Sequence, residues 1–194
     1  MLAKNTDTAK PYDNSNLVIN ISLDGDVILV VGPQHVRLRV HSQCLRCASK
    51  VFGAMFGPQW MEGEGISYKS PSEVLLLEDD AEALRTICRV IHHRNDDVPQ
   101  FLTPKAVLQV AIVADKYDLN VALRFANMQG LKPRIDVERV DMGYLMAAAF
   151  LSSDVGTFMA HTLSLVLNYN GSYLEFLNDE FTSKIVPLKA FRMS

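Results

Sequence analysis

The run Val27-Ile28-Leu29-Val30-Val31 is apolar at every position, mostly β-branched, and stopped by Gly32-Pro33. An unbroken apolar run of this length predicts a strand buried on both faces and ended by a turn. The next stretch alternates: Val36, Leu38 and Val40 fall on one side, His35, Arg37 and Arg39 on the other. Period two with charges on one side predicts a half-exposed strand, so the two strands form a hairpin. Upstream, Leu17, Ile19, Ile21 and Leu23 alternate with Val18, Asn20 and Ser22. A first strand is expected over 17–23, with Asp24-Gly25 turning the chain into the hairpin.

After the hairpin the period changes to that of helices. Ser42 is placed to cap a short helix carrying Leu45. Ser49 is placed to cap a second, on which Phe52, Met55 and Phe56 fall at i, i+3 and i+4 before Gly57-Pro58. The Gly-, Ser-, Pro- and Glu-rich stretch 57–72 predicts a surface loop, and 73–77 a short strand. Asp79 or Asp80 then caps a helix with Leu84, Ile87, Cys88 and Ile91 on one face. A break at 95–100 precedes Thr103-Pro104, an N-cap followed by proline at the first helical position. The stripe of that helix is Val107, Val110, Ala111 and Ala114, widened by Leu108 and Ile112. Asp118 is expected to open a further helix with Leu119, Ala122, Leu123 and Ala126 inward, ended by Gly130.

Lys132-Pro133 is the expected boundary, because strand patterns stop there and helical ones continue. Val137, Val140, Tyr144, Ala148 and Leu151 make one stripe; Val155, Phe158, Met159, Thr162, Leu163, Val166 and Leu167 make another. Ser172 and Glu175 have the spacing of a capping box for a last helix with Leu174 and Leu177. Such amphipathic helices cannot bury their faces separately, so they should pack together and against the preceding domain. The fold class expected is α+β, a small sheet with a cluster of helices, followed by an all-helical extension over 134–194. The polar stretch 1–16 is expected to be a disordered tail.

Four features in order carry a family resemblance: Asp26-Val27 opening an apolar strand, a charged second strand, Val40-His41-Ser42 with Leu45, and Ala48-Ser49 with Phe52, Met55 and Phe56. Together they resemble the core of a BTB/POZ domain. With Asp24-Gly25 ahead of the strand and Asp115-Lys116-Tyr117 later, the chain is most similar to the domain as it occurs in fungal proteins. The resemblance covers 17–131 and implies the BTB/POZ fold and homodimerisation through the first helices and strands. It places Asp26 and His41 near the dimer interface, tying strands to the first helix, with Leu45, Ser49 and Phe52 in the interface or the core. By their own chemistry Asp26 and His41 read as structural groups, a histidine paired with backbone or carboxylate. Many family members follow this histidine with a basic residue, where this chain has Ser42.

Trp60-Met61-Glu62 matches the hydrophobic-x-Glu pattern that recruits the cullin-3 ubiquitin-ligase scaffold in many BTB proteins. Phe56, Trp60, Met61 and Glu62 therefore form the expected partner-binding loop, an aromatic anchor oriented by a carboxylate. Trp60 folded back onto the core is the competing reading. The resemblance thus implies an interaction module, with a cullin-3 adaptor as one role and a scaffold in transcriptional control, acting through a partner and an unidentified client, as the other.

Composition narrows the classes. A net charge of −3 and a pI near 5.9 supply no electrostatic footprint for nucleic acid, so none is expected to bind directly. No apolar run reaches membrane-spanning length and 1–16 has no apolar segment of the kind a signal peptide carries, so an intracellular, cytoplasmic or nuclear protein without a membrane is expected. Three cysteines, an odd number, then read as thiols. Cys44, Cys47, Cys88 and His92 are ligand types for zinc, which keeps a thiol or metal protein as a further alternative. Buried cysteine more often behaves as a small hydrophobe. The sequence has none of the G-x-S-x-G, P-loop, H-E-x-x-H or G-x-G-x-x-G motifs, and the expectation is a non-enzyme with no cofactor.

Overall fold

A computed structural model describes residues 17–57, 70–130, 139–168 and Ile185. Four strands, β1 (Val18–Asn20), β2 (Val27–Val31), β3 (Val36–Val40) and β4 (Ser72–Leu76), form one sheet in the order β1-β3-β2-β4. β2 and β3 are antiparallel with Leu29 opposite Leu38, the hairpin that the two patterns predicted. β4 joins the other side of β2 in parallel, with Leu29 opposite Val74. β1 is shorter than expected and pairs with β3, in parallel, rather than with β2. The turn before β2 works by close approach: a Cβ on Gly25 would lie 2.6 Å from the carbonyl oxygen of Val40.

All five residues of β2 are buried. One face, Val27, Leu29 and Val31, joins Leu38, Val40 and Leu76 under the helices. The other, Ile28 and Val30, lies opposite Arg39 and Arg37. Arg37 forms an ion pair with Glu73 on β4, so the pair spans the central strand and its apolar stems help to cover Ile28 and Val30.

The described helices are α1 (Ser42–Ala48), α2 (Lys50–Met55), α3 (Ala81–Ile91), α4 (Pro104–Lys116), α5 (Arg124–Gly130), α6 (Arg139–Leu151) and α7 (Val155–Asn168), with a 3-10 turn at Asn95–Asp97. Mixed α and β elements around a small sheet are what the patterning predicted at the level of fold class. Ser49 caps α2 by accepting from the Phe52 N–H, Asp80 caps α3 through Ala83, and Thr103 caps α4 through Ala106 with Pro104 next. Ser42 does not cap α1. The cap position is His41, whose side chain makes no cap bond, and Ser42 is the first helical residue.

Helix α4 is the shared wall of two cores. Val113 and Ala114 face the sheet-side cluster with Leu45, Phe52, Leu84, Ile87 and Leu119. Val107, Leu108 and Ala111 face a second cluster built with Leu145 to Ala149 of α6 and Leu165 of α7. The expected packing of the later helices against the earlier part therefore runs through α4. α6 is buried at five successive positions, so its inward surface is far wider than the predicted stripe. Val137 lies outside the described residues, as do the tail 1–16, Lys132-Pro133 and the capping box at Ser172.

Two stripes are placed differently from expectation. Asp118 does not open a helix: it sits at φ 51° after α4, and the Leu119 N–H donates to the Ala114 carbonyl across 2.8 Å. This is a Schellman ending with aspartate in the left-handed position. Leu119 and Leu123 are buried, but Ala122 and Ala126 are exposed. On α7 the wide predicted stripe divides. Of its members Phe158 and Thr162 turn partly inward, while Val155, Met159, Leu163 and Leu167 are exposed, and Leu165, outside the predicted stripe, is buried.

Candidate interaction surface

Asp26 is a helix cap supplied from the sheet. One carboxylate oxygen accepts the Ser42 N–H across 2.7 Å, and the other accepts the Ser42 hydroxyl across 2.6 Å. The carboxylate thus does for α1 what a local cap would do, and it locks β2 to the helix. His41 is held from both ends. Its backbone N–H donates to Nε2 of His92 at 2.9 Å, and its ring Nε2 lies 3.0 Å from an Asp24 oxygen. The two imidazoles stack with centroids 6.3 Å apart. Asp26 and His41 do tie the strands to the first helix, and every contact in the network is structural.

The remaining expected residues divide sharply. Leu45, Ser49 and Phe52 are buried, and the Ser49 hydroxyl donates to the Tyr117 carbonyl. Phe56 does not belong to a partner-binding loop. It is fully buried and stacks on Phe52, which in turn stacks on Tyr117 at 4.5 Å. It is the C-cap of α2, on the same inward side as Phe52 four residues earlier, so the core claims it before a partner can. Trp60, Met61 and Glu62 lie outside the described residues.

Sequence patterning gave no role to Asp79 beyond capping. It is buried and accepts from the Lys116 ammonium at 2.6 Å and the Tyr117 hydroxyl at 2.5 Å. Burial, followed by the hydrogen bond to Asp79 and its charge, pushes the Tyr117 phenol well above its ordinary range. The network ties the β4–α3 turn to the end of α4. Adjacent aspartates at a helix start were visible in sequence, but the partner of the first lies 37 residues away.

The cysteines and His92 do not assemble. Both nitrogens of His92 are engaged by backbone, one with His41 and the other with the Cys88 carbonyl at 2.7 Å. Cys88 is fully buried, and burial pushes its thiol up to about 12. Among the described residues no group of three or more histidine, cysteine or acidic side chains is placed to hold a metal ion. No described helix is long and apolar enough to cross a membrane.

Outward of the network, Cys44, Cys47 and Ala48 of α1 face Val90 and Ile91 at the end of α3, and Ala122. They line an open groove of about 340 Å³ whose polar members are Gln43 and His93. Beside Ala122 in the chain stand Val121 and Phe125, 74% and 84% exposed. No protein-family model matches the chain, and no curated protein matches it.

Proposed function

We propose that the chain is a non-enzymatic protein–protein interaction module of the BTB/POZ type that forms a homodimer. The observation that carries this reading is the apolar groove along α1, formed by Cys44, Cys47, Ala48, Val90, Ile91 and Ala122. It lies on the first helix, where the family resemblance puts the dimer contact. A second copy of this chain is the occupant, because a two-fold axis beside α1 brings the same uncharged surface onto itself. The anchoring of α1 by Asp26 and His92 supports the same reading, since a contact helix must be fixed before it can be recognised.

The partner of the dimer is read from the Trp60-Met61-Glu62 pattern as cullin-3, with the helices after 134 available for a client. Two measurements test these levels separately. Ala122→Glu places a charge in the groove at an exposed position and should dissociate the dimer while far-ultraviolet circular dichroism stays unchanged. A fully dimeric Ala122→Glu protein removes the α1 groove as the contact. Titration of wild type and Trp60→Ala with cullin-3 should show saturable binding lost in the variant; absence of binding by wild type removes the adaptor role.

A further inference from the structure

Helix α7 has no aspartate, glutamate, lysine or arginine along its 14 residues, and the i, i+4 rows that run along it divide by size and burial. Thr157, His161 and Leu165 form one row and Phe158 and Thr162 belong to the next; both turn wholly or partly inward. The third row is Val155, Met159, Leu163 and Leu167, which stand 58–70% exposed. Beside it runs the fourth, Gly156, Ala160 and Ser164, all small. The outer surface of α7 is thus a ridge of large apolar side chains with a shallow groove at its foot.

The chain's own packing does not call for the groove. Gly156 and Ala160 are exposed. Outside its own helix, a Cβ on Gly156 would meet among the described residues only an Asp154 carboxylate oxygen, at an ordinary 3.7 Å. Glycine weakens a helix relative to alanine and serves where something must approach the backbone closely. A ridge beside a groove is complementary to its own copy. Turned about a two-fold axis, the ridge of one α7 enters the groove of the other, the packing of i±4 rows in which helices cross at about −50°. A different partner would have to bring both a groove for this ridge and a ridge for this groove, which a second α7 does by symmetry. A lipid surface is the weaker fit, because helices that lie on membranes flank the apolar row with lysine and arginine, and α7 has neither.

We propose that the outer face of α7 is a second self-association surface, on which another copy of this chain packs its own α7 across Ala160. It is separate from the α1 groove, none of whose lining residues is on α7, and it holds whether or not α1 makes a dimer. The two outward rows leave on the order of 500 Å² of apolar surface per copy, thus about 1,000 Å² for the pair, at the lower edge of specific interfaces. The contact is therefore weak, with a dissociation constant on the order of 10⁻⁴ M, and leaves the micromolar state of the chain unchanged. Joined to a first two-fold contact elsewhere on the chain, it leads to assemblies larger than a dimer as concentration rises.

The test is sedimentation equilibrium of the full chain, with thiols reduced, in wild type, Leu163→Glu and Ala160→Leu. Each protein is measured at about 10 µM and about 1 mM, its mass at the lower concentration serving as its own reference. Between the two, the average mass of wild type should rise by at least about 1.5-fold. Leu163→Glu sets a charge in the ridge and should abolish the rise. Ala160→Leu adds apolar surface but fills the groove, so shape-specific packing predicts that it also stays flat, whereas indiscriminate stickiness predicts a steeper rise. Both substitutions are at exposed positions and should leave far-ultraviolet circular dichroism unchanged. A wild-type mass that does not rise overturns the proposal and leaves the face to a different partner. A rise in Ala160→Leu or Leu163→Glu equal to that of wild type overturns it as well. The α1 contact is read separately, from the mass of Ala122→Glu at the lower concentration, so either contact can fail without the other.

Discussion

His41 and His92 are joined through the backbone of one and the ring of the other: the His41 N–H donates to Nε2 of His92 at 2.9 Å. Nδ1 of His92 faces the Cys88 carbonyl, which can only accept, so the ring carries its proton on Nδ1 and is neutral. Protonation would place a second N–H against the His41 N–H and release the entry to α1.

Burial of His92, the largest influence, holds its pKa below the ordinary 6.5. A group depressed in the folded state binds fewer protons there than when unfolded. The stability it contributes is therefore complete above about pH 6.5 and lost as pH falls through the folded value. Urea unfolding should show wild type losing stability between pH 7.5 and 5.5. His92→Gln, which keeps an acceptor and cannot titrate, should lose less over the same range.

Removing the sheet-borne cap should be costly. Asp26→Ala leaves the Ser42 N–H and hydroxyl without their carboxylate, at a cost of about 2 kcal/mol by denaturant titration. Ser42→Ala, which loses only the hydroxyl, should cost about half that. Equal stability of Asp26→Ala and wild type would show that the carboxylate does not anchor α1.

Phe56→Ala separates core from contact surface. A fully buried aromatic stacked on Phe52 should cost about 3–5 kcal/mol of stability when truncated. A variant of native stability that had lost only partner binding would return Phe56 to the loop reading.

Strain at the end of α4 makes the opposite prediction. Asp118 is exposed and held at φ 51°, a backbone that glycine adopts without the Cβ penalty. Asp118→Gly should raise stability by about 0.5–1 kcal/mol in the same titration.

What was legible in sequence was local. The β2–β3 hairpin follows from two hydrophobic periods side by side, and Ser49, Asp80 and Thr103 cap as their positions suggested. What was hidden is partnership across distance. Ser42 looks like a cap because serine usually is one, yet Asp26 reaches it from the sheet. Asp79 looks solvated until Lys116 and Tyr117 arrive from another helix. The α7 stripe has the right spacing for burial, but α6 covers only its Phe158 and Thr162 side together with Leu165, which the stripe did not include, leaving Met159 and Leu163 out. Apolar periodicity shows which residues share a face, and not whether anything covers it.

The central claim is that this chain works as a dimer joined along α1. Light scattering coupled to gel filtration, at micromolar concentration and with thiols kept reduced, measures it directly. The account predicts a mass twice that of the 21.7 kDa chain, falling to the single-chain value in Ala122→Glu. A wild-type mass of one chain would contradict it.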